Sequence, residues 1–170
     1  MLERLATDFP VFIGKVKKKR KTHPENILPA ATQEEIQMLE TSLGIPLPCS
    51  YKSFLKRSRG FWLFGGAVQF GSQHPFFHHF PKLEELTPAQ RRMIELKGGK
   101  WPPPSEGMLC FAEYFRDADG DQVLFDVSGG LINGEYPVMY YSHETRPPFV
   151  VKVANSFQEW LDAKCIDEMA

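Results

Sequence analysis

Cysteine is scarce in this chain, and its three copies, Cys49, Cys110 and Cys165, lie far apart. Three widely spaced thiols make neither a disulfide framework nor a zinc-ligand pattern. No local base or cationic cluster marks any of them as a nucleophile. They read as reduced, partly buried side chains. Long apolar runs are missing too: none approaches the roughly 18 residues of a membrane-crossing helix. The opening "MLERLATDFPVFIGKVKKKRK" places its charges after a short apolar stretch and has no small-residue cleavage site, unlike a secretory signal. These absences place the expected protein in the cytoplasm, with no membrane partner. There is no G-x-S-x-G elbow, no phosphate-cradling G-x-x-x-x-G-K and no dinucleotide-type G-x-G-x-x-G, so no catalytic residue is assigned. Charge of one sign is also lacking overall, with a net value of −1.

That near-neutral total hides a gradient. Residues 1–30 carry +4, residues 31–109 carry +2, and residues 110–170 carry −7. The basic end is concentrated in "KVKKKRK", residues 15–21. Such a run is a solvated segment or a contact for nucleic acid or anionic lipid. A nucleic-acid-binding domain is usually basic as a whole, and the acidic second half speaks against that partner. At 170 residues the chain suits one domain with a sizeable core. Its 14 phenylalanines point to a core of large rings.

Residues 1–28 read as a basic N-terminal arm or short helix, and residues 29–170 as the main domain. "TQEEIQMLETSLG" has the marks of a helix. Thr32 with Glu35 forms a capping box, Ile36, Leu39 and Leu43 share one face, and Gly44 terminates it. The prolines of "IPLPCSYKSFLKRSRG" force an extended link. A second helix then follows, with Ser50 as its expected cap and Gly60 at its end. "FWLFGGAVQFG" reads as a strand broken at Gly65 and Gly66. "TPAQRRMIELKGG" reads as a helix with Thr87 as cap and Pro88 in its first turn. "MLCFAEYF", "QVLFDV", "PVMYYSH" and "FVVKVA" are β-rich, with an Asn133-Gly134 reversal between the second and third. "SFQEWLDAKC" closes the chain as a helix capped by Ser156 and Glu159. The layout is α+β, a single domain whose antiparallel strands are flanked by helices at both ends.

Two stretches invite a chemical reading. "RDADGD" places Asp117, Asp119 and Asp121 at alternate positions, as a calcium loop does. The glycine needed at the sixth position is Gln122, the closing glutamate at the twelfth is Ser128, and the flanks are strands. The stretch therefore reads as an acidic hairpin tip, turned at Asp119-Gly120 and able to face a basic partner. "HPFFHHF" brings His74, His78 and His79 together, but Pro75 and Pro81 deny the helix that would align them on a metal. Phe76, Phe77 and Phe80 either pack inward or form an exposed recognition loop with His78 and His79. Neither stretch calls for a metal or cofactor.

Together these segments resemble the SUKH superfamily, which includes fungal cell-wall-assembly regulators and bacterial immunity proteins. The resemblance is carried by Glu34, Glu35, Ile36, Leu39, Glu40, Leu43, Gly44, Leu47, Pro48, Tyr51, Phe54, Leu55 and Gly60. It continues in Phe111, Asp119, Gly120, Phe125 and Asp126, in "YPVMYYSHE", and in Ser156, Phe157, Trp160 and Leu161. It spans roughly residues 29–165. The long segment from Gln73 to Pro104 and the N-terminal arm depart from it. The resemblance implies a compact α+β domain with a curved antiparallel sheet. It also implies a binding module without catalytic residues whose partner is a protein, a cognate toxin such as a nuclease. A regulatory scaffold linked to cell-wall synthesis is the alternative, and an unrecognised hydrolase the third reading. The contact residues expected are Asp117, Asp119 and Asp121 on the acidic tip and Phe76, Phe77, His78 and His79 on the aromatic loop.

Overall fold

The computed structural model describes residues 2–19, 26–63, 68–71, 107–114, 121–142 and 149–166. The expected helix behind Thr87 and Pro88 lies outside them, as do Gly65, Gly66, Phe76, Phe77, His78, His79, Asp117, Asp119 and Gly120.

Among the described residues seven strands run through the sheet in chain order: β1 (Asn26–Ile27), β2 (Gly60–Leu63), β3 (Val68–Gly71), β4 (Met108–Tyr114), β5 (Asp121–Asp126), β6 (Val138–Ser142) and β7 (Phe149–Ala154). Every neighbouring pair is antiparallel. The sheet is an open, curved meander, and the domain is α+β. Helices α1 (Leu2–Asp8), α2 (Pro10–Lys19), α3 (Gln33–Leu43) and α4 (Cys49–Leu55) precede most of the strands, and α5 (Phe157–Ala163) follows them.

The local signals explain several boundaries. At α3 the Thr32 hydroxyl accepts the Glu35 amide at 3.2 Å, and the Glu35 carboxylate accepts the Thr32 amide at 2.8 Å. Two amides left open at the helix start are thereby satisfied. Gly44 ends α3 in the left-handed region at φ 68°, where only glycine sits without a Cβ penalty. At α5, Ser156 accepts the Glu159 amide at 3.1 Å. The return bond from Glu159 goes to the Asn155 amide, at 2.8 Å, one residue before the cap.

The second helix departs from expectation. Its N-cap is Pro48, which offers no side-chain cap, and Ser50 lies inside α4. The helix ends at Leu55 with Lys56 as its C-cap, and Gly60 opens β2 instead of closing the helix. The Ser50 hydroxyl is not available as a local cap because it donates to Glu135, a residue on the far side of the chain.

Aromatic rings fill the core. Phe111 and Phe125, on neighbouring strands, stack with centroids 4.0 Å apart. Tyr51 of α4 meets Phe157 of α5 edge-on at 5.0 Å, and Trp160 meets Phe111 edge-on at 5.0 Å. Such offset and edge contacts add about 0.5–1.5 kcal/mol each beyond burial. The N-terminal helices join this core: Leu5, Phe9, Phe12, Ile13 and Val16 are all buried. Phe9 meets Phe54, and Phe12 meets both Phe61 and Phe70. The Phe12 amide donates to Asp162 of α5 at 3.2 Å, and the Lys15 ammonium donates to the Asp162 carbonyl at 2.5 Å.

A bulge in β4 between Cys110 and Ala112 re-phases that strand. Leu109, Phe111 and Ala112 all enter the main core, while Cys110 joins Leu124 and Tyr141 in a second cluster.

Candidate binding surface

The link between α3 and α4, residues 44–48, is held by side chains from three directions. Glu40 accepts the Leu47 amide at 2.7 Å and the Lys52 ammonium at 2.9 Å. Partial burial disfavours the charged form of Glu40. The Leu47 amide and the Lys52 charge outweigh it and hold the carboxyl below its usual range. The Tyr136 hydroxyl donates to the Pro46 carbonyl at 3.0 Å. Glu135 accepts the Ser50 amide at 2.8 Å and the Ser50 hydroxyl at 2.6 Å, so it serves α4 as a cap supplied from 85 residues away. The turn carrying Glu135 is built for this approach. Asn133 and Gly134 both have positive φ, 53° and 80°, as a two-residue hairpin reversal requires. The Gly134 carbonyl accepts the Cys49 amide at 2.9 Å. A Cβ at Gly134 would sit 2.9 Å from the Cys49 sulfur.

On the face of the sheet away from the main core, cross-strand pairing lines up Trp62, Gln69, Glu113, Gln122 and Tyr141. Glu113 is 3% exposed and accepts the Gln122 amide at 3.0 Å. Burial pushes its carboxyl up to about 7, against the lowering effect of that amide. Burial also raises the Cys110 thiol, aided by the charge of Glu113, so Cys110 is a poor thiolate source. Asp121 opens β5, is 6% exposed, and accepts the Tyr140 hydroxyl at 2.5 Å. It is the one member of the expected contact set that falls among the described residues.

The outward face of α3 differs from these engaged groups. Gln33, Glu34, Gln37, Met38, Thr41 and Ser42 line an open groove of about 600 Å³. Among the described residues no three His, Cys, Asp or Glu side chains gather where they could hold a metal ion. No helix among them is long and apolar enough to cross a membrane.

Sequence reasoning did not assign Glu135 to α4, and it missed Met38. Nothing local marks Glu135 as a cap. Met38 carried a visible signal, an apolar residue on the helix face opposite Ile36 and Leu43.

The SMI1 / KNR4 family (SUKH-1) matches residues 30–163, which takes in α3 through α5 and leaves out α1, α2 and β1. No curated protein matches the chain.

Proposed function

The chain belongs to the SMI1 / KNR4 family (SUKH-1), and on that premise we propose that it is a non-catalytic protein-binding module of the immunity type, neutralising a toxin by tight binding. The family match over residues 30–163 carries this reading. The polar side chains nearest the family's helix–link–helix segment are taken up internally. Glu40, Glu135, Ser50 and Tyr136 hold the link and α4 in place and do not converge on a reacting centre. The charge gradient supports a basic partner: residues 110–170 carry −7, and such a field speeds encounter with a cationic nuclease surface. The acidic tip at Asp117 and Asp119 and the loop of Phe76, Phe77, His78 and His79 are the proposed contacts, in a cytoplasmic setting; Asp121, expected with them, is buried at 6% exposure and taken up by the Tyr140 hydroxyl.

The test is capture of a partner from the source cell, followed by stopped-flow association at rising salt. The expected result is a 1:1 complex whose association slows as salt screens the charge. Charge reversal at Asp117 and Asp119 and deletion of the Phe76–Phe80 loop should each weaken it. An unchanged affinity in both variants would remove those surfaces from the proposal. A scaffold linked to cell-wall synthesis is the second reading, as the family spans both roles, and a captured cell-wall enzyme in place of a toxin would favour it.

A further inference from the structure

We propose that the outward face of α3 is a docking surface for a partner protein that presents an apolar side chain flanked by lysines or arginines. This rests on the protein-binding reading above and assigns it a surface.

The inner face of α3 is used up in packing: Ile36 is buried, and Leu39 and Leu43 lie partly buried against the core. The outer face carries Met38 at 71% exposure, above Ile132 at 62%, Val11 at 52% and Val151 at 45%. Beside it the hydroxyls are turned away from any partner. Thr41 donates to the Gln37 carbonyl and Ser42 to the Leu39 carbonyl, both at 2.9 Å. The groove around Met38, lined by Gln33, Glu34, Gln37, Thr41 and Ser42 besides Met38, is therefore mainly apolar. An unbranched, polarizable thioether adapts its shape to an incoming apolar group. A compact apolar centre with a polar edge is the usual anatomy of a protein interface.

Charge determines which partner fits. Helix α3 contains Glu34, Glu35 and Glu40 and no lysine or arginine. Two of these carboxylates are engaged: Glu35 by the Thr32 amide and Arg59, Glu40 by the Leu47 amide and Lys52. Glu34 borders the groove and is exposed, with no ion pair among the described residues. Its own backbone amide and the Thr32 hydroxyl hold its carboxyl below the usual range, so it stays charged at neutral pH. The groove thus offers an apolar seat with a fixed negative charge at its rim. A cationic surface gains from that charge, and an acidic one is repelled.

The experiment uses the full chain as bait in the source cell's lysate, and the protein it retains is purified as the probe. Binding of that probe is measured by calorimetry and stopped flow for wild type, Met38→Ala, Glu34→Lys, and Lys17→Glu on α2 as a control. All three positions are exposed, and equal melting temperatures confirm intact folds. Met38→Ala should weaken binding about tenfold through faster dissociation, and Glu34→Lys about tenfold through slower association at low salt. Lys17→Glu should leave affinity within about twofold of wild type. A retained partner that binds all four chains equally overturns this surface and leaves the protein-binding reading standing. A wild-type chain that retains nothing overturns both. If light scattering shows a dimer that Met38→Ala dissociates, the occupant is a second copy of this chain and the cationic partner is overturned.

Discussion

Replacing Glu135 tests how the α3–α4 link is held. Its carboxylate accepts two bonds from Ser50, at 2.8 Å from the amide and 2.6 Å from the hydroxyl. Hydrogen bonds to a charged group contribute roughly 1.5–3 kcal/mol, and losing a helix cap costs about 1 kcal/mol. The Ser50 amide is part-buried and has no other helix partner at the first turn of α4, so truncation leaves a donor open. Glu135→Ala should therefore destabilise the fold by about 2–3 kcal/mol. In a chain of this length that lowers the melting temperature by roughly 4–12 °C. Glu135→Gln keeps one acceptor and should lose about half as much. Ser50→Ala removes only the hydroxyl and should cost about 1 kcal/mol. The double variant, measured by urea unfolding, should show a coupling of at least about 0.5 kcal/mol. If Glu135→Ala costs less than about 0.5 kcal/mol, or if the two losses simply add, the carboxylate does not cap α4 and the reasoning fails.

Two further perturbations probe other parts of the fold. Glu113 titrates near 7 when folded and near 4.5 otherwise, so between those values the folded chain binds more protons than the unfolded one. Stability from this group is highest below about 4.5, falls as pH rises toward 7, and is level above, with a span of no more than about 3 kcal/mol. Glu113→Gln should flatten that slope in urea melts taken from pH 5 to 8, and an unchanged slope would count against the buried carboxyl. Glu40 works in the opposite sense, since its lowered value stabilises the fold above the usual carboxylate range and is lost as pH falls below it. Phe12→Ala empties a fully buried ring site between Phe61 and Phe70 and should cost about 3–5 kcal/mol in one cooperative transition. A loss under about 1 kcal/mol would mean that α2 is not part of the same folding unit.

The parts of the fold that were legible beforehand are those set by neighbours in sequence. Thr32 and Glu35, Gly44, Ser156 and the Asn133-Gly134 reversal each act within a few residues, and each acts as its chemistry dictates. Ser50 has the look of a cap because it stands beside a helix start, yet the group that binds it lies 85 residues away. The N-terminal helices were hard to read for a related reason. The lysine run masks a buried stripe of Leu5, Phe9, Phe12, Ile13 and Val16, which becomes evident only where Phe54, Phe61 and Asp162 receive it.

The amino-acid sequence by itself determined the α+β class, the caps of α3 and α5, the Asn133-Gly134 turn, the aromatic core composition and the family resemblance, because these follow from short-range sterics, hydrogen bonding and the order of hydrophobic runs. Only the tertiary structure decided which polar groups are engaged and which face outward. Glu135 and Glu40 are drawn into the α3–α4 link, Glu113 is buried against Gln122, and Met38 and Glu34 remain exposed. Those outcomes depend on strand register and on contacts between distant segments, so the same glutamate can be a cap, a buried acid or a surface charge according to what the fold brings beside it.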